Sequence, residues 1–171
     1  MKKLRIVVTS TRPTRIGGRL GQWVADQISP EEWDVELLDL GALDLPMLDE
    51  DDVPRLGNYT RPHTLAWAKT VSEADALIIL TPEYNASFTA PLKNAIDTLF
   101  AEWNEKPIGV IGYGWGGGAR ATAALSPVLK NVQADERGVV HVHFNKDIDP
   151  AGEVLSDELA GKVQELAAKL V

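Results

Sequence analysis

Ala76-Leu77-Ile78-Ile79-Leu80-Thr81-Pro82-Glu83-Tyr84-Asn85 decides the fold. Five consecutive apolar residues, Ala76–Leu80, are too few for a buried helix and have the unbroken hydrophobicity of a strand covered on both faces, as strands of parallel sheets are. A proline-stiffened polar turn ends the run, and Pro91–Phe100 follows with helical spacing. A polar, aromatic turn at the C-terminal end of a buried parallel strand is where open α/β sheets bind ligands.

Outward from this stretch, strands and helices alternate. Leu4–Thr9 is a β-rich run. Gly18–Ile28 places Leu20, Trp23, Val24, Gln27 and Ile28 at helical spacing and stops at Ser29-Pro30. Trp33–Leu40 alternates as a second strand. Gly41–Thr60 is a long connection carrying the acidic run Asp49-Glu50-Asp51-Asp52, which lacks the ligand spacing and glycine of an EF-hand and reads as a solvated loop. Pro62–Ser72 is helical, Asp75–Leu80 is the third strand, and Pro91 sits in the first turn of the next helix. Pro107–Ile111 is a fourth strand, followed by the glycine-rich Gly112–Gly118 and the alanine-rich helix Ala119–Asn131. Val139–Phe144 is a fifth strand. Ser156–Leu170 is a final amphipathic helix with Leu159, Val163, Leu166 and Leu170 on one face. Right-handed crossovers between such strands predict a flavodoxin-like α/β fold over residues 1–171: a five-stranded parallel sheet of order 2-1-3-4-5, as a single domain.

The composition narrows the function. The 171 residues are 44% hydrophobic and 25% charged, ordinary for a globular chain, and the net charge of −8 argues against general affinity for nucleic acid or anionic membrane. With no cysteine there is no disulfide, thiolate metal site or cysteine nucleophile. The apolar stretch after Met1-Lys2-Lys3-Leu4-Arg5 is too short for a signal peptide, and no run reaches the roughly 20 residues of a membrane span. A soluble cytoplasmic protein is expected.

The expected topology brings three loops together: Ser10–Gly18, Thr81–Thr89 and Gly112–Gly118. In the first, hydroxyls, Arg12 and Arg15 precede a helix N-terminus, where backbone N–H groups favour an anion such as a phosphate monoester. It is not a Walker A loop. The third contains G-x-G-x-x-G at Gly112, Gly114 and Gly117, but after the fourth strand and with no acid at the expected distance. It reads either as bare backbone beside a flat ligand, with Tyr113 or Trp115 on the wall, or as a tight turn. In the second, Glu83, Tyr84 and Asn85 offer edge hydrogen bonds to a planar heteroaromatic ligand. No Ser-His-Asp or metal constellation supports reading Glu83 and Tyr84 as a hydrolytic pair. His63, His141 and His143 form no recognisable metal-ligand spacing.

Thr81-Pro82-Glu83-Tyr84-Asn85, continuing as Ser87-Phe88-Thr89-Ala90-Pro91-Leu92-Lys93-Asn94-Ala95-Ile96-Asp97, together with Ser10-Thr11-Arg12 and the glycine loop, resembles the NAD(P)H-dependent FMN reductase family, which includes quinone, azo-dye and chromate reductases. The resemblance implies bound FMN and NADPH or NADH as hydride donor, with electrons passing to a quinone, azo compound, metal oxyanion or free flavin. It implies that Ser10 and Arg12 hold the FMN phosphate, with Arg15, Ile16 and Gly17 beside them. Pro82, Glu83, Tyr84 and Asn85 would run along the flavin, and Tyr113, Gly114, Gly116 and Gly117 would close the other side. No side chain need act as acid or base, so no catalytic residue is assigned. Members are commonly homodimers or homotetramers, which implies a contact through the Ala90–Leu99 helix. The chain departs from many relatives in having Thr9-Ser10 before the arginine, and Arg15 and Gly17 where those have Ser and Asn. A flavodoxin-like electron carrier without NAD(P)H turnover, and a nucleotide-binding module without turnover, are the competing readings.

Overall fold

The computed structural model describes residues 1–171. Its sheet is all parallel, in the order β2-β1-β3-β4-β5, formed by β1 (Lys2–Val8), β2 (Trp33–Asp39), β3 (Ala76–Pro82), β4 (Pro107–Gly114) and β5 (Asp135–His143). The helices are α1 (Gly17–Asp26), α2 (Leu40–Leu43), α3 (Pro62–Glu73), α4 (Ala90–Asp97), α5 (Ala119–Asn131) and α6 (Glu158–Ala168). The expected topology and its five strands are as found.

Every residue of β3 is buried, and its side chains alternate between two cores. Ile78 and Leu80 face α1 and α6, packing with Leu20, Val24, Leu159 and Val163. Leu77 and Ile79 face α3, α4 and α5, packing with Trp67, Val71, Ile96 and Leu125. On that second face, Trp67 and Trp103 meet edge to face at 6.2 Å, and each indole N–H donates to a backbone carbonyl of α4, Ala95 O at 2.9 Å and Ile96 O at 3.1 Å. Both tryptophans are therefore buried without an orphaned donor.

Three local expectations differ from the structure. β4 continues through Gly112 and Gly114, which pair with His141 and His143, so the glycine turn is confined to Trp115–Gly118. Gly112 is bare because α5 lies on it: a Cβ there would stand 2.7 Å from the Thr122 methyl. β5 begins at Asp135 rather than Val139, because backbone pairing with β4 holds the polar Asp135–Gly138 segment as an edge strand. The Gly41–Thr60 connection is less irregular than expected. Asp39 accepts the Gly41 N–H at 2.8 Å to start α2, and Pro54–Leu56 makes a 3-10 turn.

The acidic run within it is anchored rather than simply solvated. The Glu50 carboxylate accepts from the Thr60 and Arg61 amides and the Thr60 hydroxyl, just ahead of α3, and Asp49 meets His63 at 2.8 Å. Burial opposes ionisation of Glu50, but those hydrogen bonds prevail and hold its pKa at about 2. Its depressed value means that the anchor is complete above the ordinary carboxyl range and is lost as pH falls through about 2. No group of three or more His, Cys, Asp or Glu is arranged to hold a metal ion.

Gly118 closes the turn into α5 with φ +68°, and a Cβ there would lie 2.6 Å from the Tyr113 backbone nitrogen. Gly116 has open space at the same position. Gly118→Ala should lower unfolding free energy by about 1–3 kcal/mol, while Gly116→Ala stays within about 0.5 kcal/mol of the parent. Urea denaturation of the two variants checks this.

Candidate functional site

The C-terminal ends of β1, β3 and β4 surround an open cavity of ≈ 850 Å³, inside the roughly 300–1,000 Å³ range of small-molecule sites. The strand register sets this up: Val8 pairs with Leu80 and Leu80 with Ile111, so the three following loops start at one level. Of the residues singled out in the sequence, Ser10, Arg12, Arg15 and Ile16 line it from the first loop, Pro82, Glu83, Tyr84 and Asn85 from the second, and Tyr113, Gly114 and Gly116 from the third.

Gly17 and Gly117 do not line it. Gly17 is buried beneath, where a Cβ would stand 2.7 Å from Val8 and 3.3 Å from the Tyr113 hydroxyl. Gly117 faces the strand below, where a Cβ would collide with the His143 ring at 2.6 Å, and its carbonyl lies 3.1 Å from His141 Nδ1. The two strand histidines thus support the glycine turn, and His143 is in turn held by the buried carboxylate of Asp147, 2.8 Å from its amide.

The arginines differ in freedom. Arg15 is fastened, with one guanidinium nitrogen 2.7 Å from Asp39 and another donating to the Arg12 carbonyl at 3.2 Å. Arg120, at the start of α5, donates through Nε to Glu83 at 2.6 Å, and its backbone N–H donates to the same carboxylate at 3.0 Å. Burial opposes ionisation of Glu83, but the Arg120 side chain and the Arg120 and Ala121 amides outweigh it and hold the carboxyl below its ordinary value. Glu83 therefore fixes the second loop to α5 as a carboxylate, and that contact weakens as pH falls through its lowered pKa. Arg12 is exposed and has no carboxylate partner, its one side-chain contact being the Thr14 hydroxyl at 3.4 Å.

Beside Arg12 the N-terminus of α1 is open to an anion. Ile16, its N-cap residue, has no side-chain acceptor, and the first turn holds no acid. Orphan N–H groups at such an end favour negative charge. Across the cavity Gly114 and Gly116 have nothing within 4 Å of where a Cβ would stand, so bare backbone fronts the open space. Ser10 and Tyr84 share a 2.6 Å hydrogen bond that joins the first loop to the second. Tyr113 is buried, and burial raises its phenol pKa well above normal, keeping it neutral. Asn85 is exposed and its carboxamide has no hydrogen bond within the protein.

Sequence reasoning left Ala86, Phe144, Pro150 and Arg120 out of the site, although each lines the cavity, as do Thr14 and Trp115. Arg120 carried a signal, as the basic residue ending the glycine run. Phe144 and Pro150 come from the segment after β5, which the choice of three loops passed over.

An open parallel sheet of this order with a ligand cavity over β1, β3 and β4 defines a flavodoxin-like protein. The model of the NADPH-dependent FMN reductase family matches residues 2–148. The chain belongs to that family, and through it to the FMN- and NAD(P)H-dependent oxidoreductases. It is 36% identical over 129 residues to the NAD(P)H-dependent FMN reductase C4B3.06c of Schizosaccharomyces pombe, a match covering 74% of this chain and 64% of that protein. To the 2-hydroxy-1,4-benzoquinone reductase of Burkholderia sp it is 29% identical, over 91% of this chain and 87% of that one. FerB of Paracoccus denitrificans, a flavoenzyme NAD(P)H:(acceptor) oxidoreductase, superposes with a TM-score of 0.73 at 26% identity, covering 99% of this chain and 96% of its own.

The second loop carries backbone strain at its tip. Asn85 and Ala86 have φ of 50° and 65°, and Tyr84 and Ser87 exchange backbone hydrogen bonds at 2.9 and 3.0 Å, closing a two-residue turn. Such turns need positive φ at both central positions and favour Asn-Gly, so Asn85 is well suited and Ala86 is not. Ala86→Gly should raise stability by about 0.5–1 kcal/mol, read as an increased urea midpoint with unchanged slope.

Proposed function

We propose that this chain carries FMN in the cavity above β1, β3 and β4 and passes electrons from NADPH or NADH to a small-molecule acceptor: a quinone, azo compound, metal oxyanion or free flavin. The observation that carries the proposal is the unpaired Arg12 guanidinium beside the acid-free N-terminus of α1, opposite the side-chain-free wall at Gly114 and Gly116. This is a phosphate seat joined to a flat slot, and the donor set suits a flavin mononucleotide. The proposed unit spans residues 1–171.

In this reading Arg12 and the first amides of α1, from Ile16 and Gly17, hold the phosphate by charge-assisted hydrogen bonds. Ser10 acts with Tyr84, its hydroxyl bridging the phosphate loop to the ring loop. Arg15 contributes by holding the Arg12 carbonyl and Asp39. Pro82, Glu83, Tyr84 and Asn85 border the ring, with Glu83 acting through its grip on Arg120 and Asn85 offering a free amide. Tyr113, Gly114 and Gly116 form the facing wall, and Gly117 lets it rest on His143.

Bound FMN would supply the redox chemistry, and the protein supplies position and electrostatics. For a quinone acceptor the balance is two electrons, leaving NAD(P)H as hydride, and two protons, one carried by that hydride and one from solvent. The products are NAD(P)+ and hydroquinone. The name of the Burkholderia relative supports a quinone among the acceptors.

A cytoplasmic homodimer or homotetramer completes the proposal. No helix is long and apolar enough to cross a membrane. The buried face of α4 is already covered, since Asn94 accepts the Leu48 N–H at 2.9 Å and donates to Pro46 O at 2.8 Å. A contact at this helix would therefore run through the segment laid over it, which exposes Met47, Val53 and Leu56 by 60% or more of their surface. Exposed apolar groups on one segment suit association with a second copy.

Protein loaded with FMN should show a flavin spectrum that NADPH bleaches without any partner; a flavin-bound protein inert to NADPH and NADH would support a carrier instead. Arg12→Ala should weaken FMN binding about 10- to 100-fold, the equivalent of a charge-assisted contact, with an unchanged melting temperature. Equal affinity by fluorescence titration would remove Arg12 from the site. Light scattering should give at least twice the monomer mass, and Met47→Asp with Leu56→Asp should reduce it.

A further inference from the structure

Trp115 is the one large apolar side chain that both lines the cavity and remains mostly exposed, with 70% of its surface in solvent. A single exposed aromatic needs no explanation by itself. This one is held in place. The Gly114 carbonyl accepts from the Gly117 N–H at 3.1 Å and from the Phe144 N–H at 3.0 Å, fixing the turn at whose tip Trp115 stands. The indole meets Phe144 edge to face, with centroids 5.3 Å apart and planes at 76°. Phe144 itself packs on the α1/α6 core, so one edge of the indole has rigid support. Neither sequence neighbour carries a side chain, and a Cβ at Gly114 or Gly116 would meet nothing within 4 Å.

Charge makes the remaining selection. The cavity residues bring three cations, Arg12, Arg15 and Arg120, of which Asp39 neutralises Arg15 and Glu83 neutralises Arg120. The excess is the single charge of Arg12, and a phosphate monoester of about −1.5 to −2 more than cancels it. Once that seat is filled, no spare cation remains to draw in an anionic acceptor. The recognition left is a flat aromatic face beside the slot, and flat π systems prefer to stack there.

We infer that Trp115 is the residue that sets acceptor preference, its indole stacking on neutral, planar aromatic acceptors and favouring them over compact or highly anionic ones. The inference rests on the proposed FMN site.

The test uses the FMN-loaded protein. In its oxidised form, without nicotinamide, 1,4-naphthoquinone binds without reacting and its Kd is read by difference absorbance. Trp115→Ala should raise that Kd about tenfold, and Trp115→Phe by less than about threefold. With NADPH, the ratio of kcat/KM for naphthoquinone to that for ferricyanide, a compact trianion, should fall by a similar factor in Trp115→Ala and recover in Trp115→Phe. An unchanged Kd and ratio in Trp115→Ala would overturn the inference. So would a uniform loss toward both acceptors, or a Phe variant as poor as the Ala variant. Wild-type protein that takes up no FMN would overturn the flavin site itself, a failure distinguishable from all of these.

Discussion

The parallel registration of β3 between β1 and β4 is the constraint on which the rest depends. Because Ile78 and Leu80 fill one core while Leu77 and Ile79 fill the other, a one-residue slip would exchange two full sets of side chains between differently shaped interiors. The register is thereby fixed, and with it the level at which three chain segments leave the sheet. Parallel strands also require crossovers, which place α1 and α5 with their N-termini at the same edge. The cavity, its anion-favouring helix end and its glycine wall all follow from strands that cannot slide.

Part of this architecture was legible in local pattern and part was not. Ala76–Leu80 is a strand by its own composition, and Pro91 and the apolar stripe of α6 mark helices without help from their neighbours. Asp135–Gly138 carries no such mark; it is extended because β4 offers it a hydrogen-bonding edge, and Gly138 is bare where Leu166 lies 3.1 Å from its Cβ position. Gly112 and Gly114 looked like loop because glycine ordinarily breaks strands, yet strand pairing overrides that tendency: Gly112 pairs with both Thr81 and His141, and Gly114 with His143.

The site shows the same division. Residue types pointed to an anion beside a flat slot, and eleven of the thirteen positions singled out line a common cavity. Which cation is free was invisible. Arg15 is neutralised by a residue 24 positions away and Glu83 is held by one 37 positions away, and nothing in a linear reading pairs them. The consequence is a cavity whose positive balance is one side chain deep within a chain of net charge −8. Whatever attraction the cavity has for an anion is local to Arg12 and the end of α1, and the molecule as a whole exerts none.

The fastening of the long connection to α4 has a thermodynamic consequence. The Asn94 carboxamide, only 6% exposed, ties backbone groups of Pro46 and Leu48 to the helix. The conformational entropy of ordering that segment is therefore lost when the monomer folds, not when another surface meets it. Any contact made over Met47 and its neighbours begins from a preformed face, and association there carries little further ordering cost.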